Sequence, residues 1–87
     1  MDEVTYKRLI EALESRMPGA VVDFGPKVFP NRVSGLIQWD GFAEMNVTER
    51  QDFVWGTIRG ALGPESADVS TIVTLTPQEL ADFNEAV

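Results

Sequence analysis

Apolar residues return every three or four positions near the start of the chain: Tyr6, Leu9, Ile10, Leu13 and Met17 make one stripe. That spacing predicts a helix over 2–17 that buries one face. Asp2 can cap it, and Glu3 precedes Lys7 by four residues, the favoured direction for a helical ion pair. Pro18-Gly19 ends it. The pattern then shortens. Ala20-Val21-Val22-Asp23-Phe24 reads as a strand, and Gly25 to Asn31, with Pro26 and Pro30, reads as a loop. Val33 to Trp39 is a second strand, with Val33, Gly35, Ile37 and Trp39 on one face and Leu36 on the other. Strand, loop and strand in succession predict an antiparallel hairpin, and Gly35 marks a bulge or a close backbone approach.

Asp40-Gly41 ends the second strand, and a helix follows over 47–62. Either Asn46 with Glu49 or Thr48 with Gln51 can form its capping box. Its buried stripe is Val54, Ile58, Ala61 and Leu62, with Phe53 or Trp55 at the edge. Gly56 and Gly60 share a face that a neighbouring element could approach, and each weakens the helix by about 1 kcal/mol relative to alanine. Gly63-Pro64 stops it. Val69 to Leu75 is a third strand, rich in β-branched residues. Thr76-Pro77-Gln78-Glu79 opens the last helix with a cap, a proline at the first helical position and a box-closing glutamate. Leu75 and Leu80 staple that entry, and Leu80 and Phe83 are expected to face the core.

The order α-β-β-α-β-α predicts one α+β domain over 1–87, a three-stranded sheet with its helices packed on one face. The 87 residues include no histidine and no cysteine. Ser-His-Asp and Cys-His catalysis, thiolate metal sites and disulfides are therefore excluded by composition. Fourteen acidic residues against seven scattered basic ones give a net charge of −7, which suits solubility and argues against a binder driven by the nucleic-acid backbone. No apolar run is long enough to span a bilayer, and the acidic start is not a signal peptide. The expected location is cytoplasmic, with no membrane attachment and no cofactor.

Three further features are weighed against ordinary structural roles. Asp40, Glu44, Glu49 and Asp52 can run acid/base chemistry only if burial separates their pKa values. Glu49 and Asp52 lie where a helix start favours anions, and Asp40 to Glu44 lacks the ligand pattern of a calcium loop. Gly60-Ala61-Leu62-Gly63 matches the nucleic-acid clamp of KH domains in form, but it holds no basic residue and coincides with a helix stop. Trp39, Phe42, Phe53 and Trp55 are mainly core material; one or two left exposed beside Arg50 would form an interface anchor.

Two stretches resemble the BolA family, whose fold is related to the class II KH arrangement. Phe42-Ala-Glu-Met-Asn-Val-Thr-Glu-Arg50-Gln51-Asp-Phe-Val-Trp55 is similar to its central block, where an Arg-His pair opens a helix and an aromatic follows one turn later. Thr74-Leu-Thr76-Pro-Gln-Glu79-Leu80 is similar to its closing Thr-x-Thr-x-x-Glu-Trp, and the resemblance covers roughly residues 33–83. BolA-like proteins carry a histidine entering the third strand that ligates an iron–sulfur cluster shared with a monothiol glutaredoxin. Asp68 stands at that position here, Gln51 replaces the histidine of the Arg-His pair, and Leu80 replaces the tryptophan. The hairpin loop, where the family has a second ligand, offers only Gly25 to Arg32. A carboxylate is a poor substitute for imidazole on iron–sulfur. The resemblance thus implies a BolA-like scaffold without its ligands: a non-enzymatic domain, regulatory or adaptor, acting on a protein partner through Phe29, Arg50, Gln51, Trp55 and Asp68. The other function that the resemblance permits is a KH-like nucleic-acid-binding regulator.

Overall fold

The computed structural model describes residues 2–24 and 33–85. Helix α1 spans Glu3–Arg16, strand β1 Val21–Phe24, β2 Val33–Gln38, helix α2 Val47–Leu62, β3 Val69–Leu75 and α3 Pro77–Glu85. Short 3-10 helices over Asp40–Glu44 and Gly63–Asp68 lead into and out of α2. The predicted α-β-β-α-β-α order holds.

Local chemistry accounts for the boundaries. The Asp2 carboxylate accepts the Thr5 N–H at 2.7 Å, satisfying one of the free donors of the α1 start. Two boxes could have opened α2, and it is Asn46 and Glu49 that exchange bonds of 2.8 and 2.9 Å. Gly63, at φ 58°, closes α2 with its N–H on the Arg59 carbonyl. The Gly60–Gly63 pattern is therefore a helix stop. Thr76 and Glu79 form the reciprocal box that opens α3.

The sheet order is β1-β2-β3. β1 pairs antiparallel with β2, as the hairpin predicts, whereas β3 runs parallel to β2 after the α2 crossover. Register slips between Val33 and Gly35. A Cβ on Gly35 would stand 2.5 Å from the Asp23 carbonyl oxygen and 2.8 Å from the Phe24 Cα, so this glycine permits the close approach of β1.

One face of the sheet is covered by α1 and α2. Leu9, Leu13 and Met17 of α1 pack with Val54, Ile58 and Leu62 of α2 against Val33, Ile37, Val69 and Ile72, and Phe42 joins the same core. Arg8 ties the two helices by donating to the Ala61 carbonyl at 2.6 Å, and Thr5 donates to Glu65 at 2.7 Å. Glu3 and Lys7, both exposed, are not among the ion pairs of the described residues; two free side chains gain little from pairing in water.

Two expectations are corrected. Helix α3 buries no residue, and Phe83 is 63% exposed rather than in the core. Gly56 and Gly60 face open space, with nothing within 4 Å of an added Cβ. Neither has positive φ, so alanine fits both positions. Gly56→Ala and Gly60→Ala should each raise stability by about 0.5–1 kcal/mol in urea unfolding. An unchanged or lowered midpoint would mean that this helix face packs against something.

Candidate functional site

The α2 capping box directs the first turn of the helix at the edge of β3. In a parallel pair, alternate residues turn their backbone polar groups to the partner strand. The Leu75 carbonyl accepts from Trp39 N on the β2 side, so Ile72 and Thr74 turn their carbonyls to the free edge. Two consecutive α2 residues satisfy them: Gln51 Nε2 donates to Ile72 O at 2.9 Å and Arg50 Nη1 to Thr74 O at 3.3 Å. The edge strand is thereby protected against unregulated pairing.

Arg50 does much more. Its Nε donates to the carbonyls of Phe42 at 3.0 Å and Met45 at 3.1 Å. Nη1 and Nη2 grip the Glu79 carboxylate at 2.7 and 3.1 Å, the forked geometry a guanidinium favours. The guanidinium also lies 5.7 Å from the centre of the Phe42 ring. Arg50 is 7% exposed, so it is not the surface contact that the sequence suggests. It joins the turn before α2, the edge of β3 and the start of α3. The two stretches that carry the BolA resemblance meet here, as Phe42 and Arg50 from one and Thr74, Thr76 and Glu79 from the other.

The knot sets a titration. The Arg50 guanidinium, helped by the Thr76 N–H, lowers the Glu79 carboxyl from an ordinary 4.5 to about 2. A folded pKa below the unfolded one means that the stabilisation is complete above about 4.5 and is lost as pH falls from there toward 2. Between pH 5 and 2.5 the urea midpoint of the wild type should therefore fall more steeply than that of Glu79→Gln, which lacks the titrating group. Parallel profiles would contradict the tie.

Gln51 is half-buried, and its Oε1 accepts the Trp55 indole N–H at 3.1 Å. One amide therefore fixes the β3 edge and the aromatic a turn further on. Trp55 itself is half-buried against the core. α2 runs antiparallel to β3, with Arg50 at Thr74 and Gln51 at Ile72, so Trp55 lies toward the strand entry where half-buried Asp68 ends the second 3-10 helix. The structure thus brings Gln51 and Trp55 together, while Asp68 ends the second 3-10 helix just before β3. Phe29 lies outside the described residues. Half-buried Trp39 meets the buried Phe42 edge-on at 5.3 Å between ring centres and stacks on Phe53 at 5.8 Å. Among the described residues, no three His, Cys, Asp or Glu side chains gather as a metal site. Asp40, Glu44, Glu49 and Asp52 are all exposed, without the burial that acid/base chemistry needs.

Sequence reading missed a second surface. Leu36 and Val73 are register partners, next to the core-facing Ile37 and Ile72, so they point to the opposite side of the sheet. With Leu75, Leu80 and Phe83 they line an open apolar groove of about 490 Å³. The Leu75–Leu80 staple therefore forms on the outer face. A signal was available: β3 is apolar or β-branched at both parities, which calls for cover on both faces.

No protein-family model and no curated protein sequence matches the chain. Among solved structures it is similar to the crystal structure of a Bol-like protein from Babesia bovis, with a TM-score of 0.58 and 16% sequence identity over 95% of this chain and 96% of that one. This likeness shows a BolA-like fold, as the resemblance implied.

Proposed function

We propose that the chain is a small non-enzymatic docking domain on a BolA-like scaffold, a cytoplasmic regulator or adaptor that works through protein–protein contact without iron–sulfur ligation. One observation carries this reading: apolar side chains collect on the outer face of the sheet, where Val73 is 48% and Phe83 63% exposed. Apolar side chains that adjoin at a solvent-facing surface are candidates for an interaction site, whereas scattered ones are not. Gln51 and Trp55 on α2 and Asp68 before β3 complete the proposed surface. Arg50 supports it from within. No comparable observation favours nucleic-acid binding, because Gly60–Gly63 is a helix stop.

Affinity capture from a native extract by the wild type and by Phe83→Gln tests this directly. A partner that the wild type retains and the variant loses is the expected result, with both proteins equally folded by circular dichroism. Identical recovery by both would overturn the role of this surface.

A further inference from the structure

The outer groove leaves open what kind of segment it receives, and the charge distribution narrows the choice. Among the described residues, every basic side chain lies on α1 or α2: Lys7, Arg8, Arg16, Arg50 and Arg59. β1 and α3 carry only acidic ones, Asp23, Asp82 and Glu85 besides the Glu79 that Arg50 neutralises, and β2 and β3 carry no charge. Asp23 is the register partner of Leu36, so its carboxylate stands on the groove side of the sheet, one strand away. The five lining side chains are apolar, with no polar group to orient a small molecule of the usual kind. The recess suits apolar anchors, and orientation falls to the charge around it.

We propose that this groove receives an amphipathic segment of a partner protein, with leucine- or phenylalanine-type anchors flanked by lysine or arginine. The proposal rests on the docking reading and adds the chemistry of the occupant. A second copy of the chain would bring its own acidic face against Asp23 and α3, and like charges across an interface are costly. Anionic lipid and nucleic-acid backbones are disfavoured for the same reason.

Three synthetic peptides separate the possibilities in amide-shift titrations of the 15N-labelled chain. One has an apolar face flanked by lysine, one has the same face flanked by glutamate, and one keeps the lysines but replaces the anchors with serine. The expected result is binding of the first alone, with shifts centred on Leu36, Val73, Leu75, Leu80 and Phe83. Phe83→Gln should weaken it about tenfold, the usual loss at an interface anchor. Asp23→Asn or added salt should weaken it by a smaller factor. Equal binding of the glutamate peptide would overturn the charge preference while leaving a docking groove. Equal binding of the serine peptide, or shifts on another face, would overturn the groove as the site. Binding of none would count against the docking reading as well. A concentration-dependent dimer in sedimentation that Phe83→Gln dissociates would assign the groove to a second copy and overturn the proposal.

Discussion

Arg50→Ala should lower the free energy of unfolding by about 3–4 kcal/mol, a large part of the roughly 5–10 kcal/mol expected for a domain of this size. The estimate comes from what the arginine leaves behind. The Thr74 carbonyl loses a buried donor and the Met45 carbonyl a partly buried one, while the Phe42 carbonyl keeps the Met45 N–H. Each buried acceptor left unpaired costs about 1–3 kcal/mol. The Glu79 carboxylate adds less, because its side chain is 43% exposed and water replaces the lost partner. Arg50→Lys should recover only part of the loss, since one ammonium cannot span carbonyls and carboxylate together. Urea unfolding of the three proteins checks this ranking. A near-neutral Arg50→Ala would mean that the knot is decorative.

Phe42→Ala should cost about 3–5 kcal/mol, the range for truncating a fully buried phenylalanine. The ring is inaccessible to solvent. It meets Trp39 edge-on at 5.3 Å and supports the Arg50 guanidinium from below. Its removal leaves a cavity beneath the same knot, so the two losses share partners and should not add. Phe42→Leu, which keeps much of the volume, should lose distinctly less. A double-mutant cycle of Phe42→Ala with Arg50→Ala measures the coupling, and strict additivity would contradict the shared packing.

Much of the fold was legible because local signals agreed with one another. The boundaries of α2 and β3 follow from caps, glycine stops and β-branched runs that tertiary contacts did not override. The core stripe of α1 likewise follows from its period. The short α3 was read less well: its apolar residues suggested a core helix, but nine residues present too little surface to decide which side of the sheet they meet. Arg50 was misplaced for a different reason. An arginine near aromatics looks like an interface anchor in sequence, and only the fold shows three backbone carbonyls and a carboxylate converging on it. The groove escaped because it joins β2, β3 and α3, residues far apart in the chain. The resemblance to BolA rests on the side chains that tie the scaffold together, which explains why it foretold the fold and not the groove.

On the proposed reading labour is divided: the residues that carry the resemblance hold the fold, and the outer face of the sheet is left for docking. Unfolding free energies of Arg50→Ala and of the double variant Val73→Thr/Phe83→Gln, measured together in urea, test it most directly. Arg50→Ala should lose several kcal/mol while the double variant stays within about 1 kcal/mol of the wild type, as exposed substitutions do. A double variant that unfolds as easily as Arg50→Ala would place the outer face inside the folding core and contradict the division.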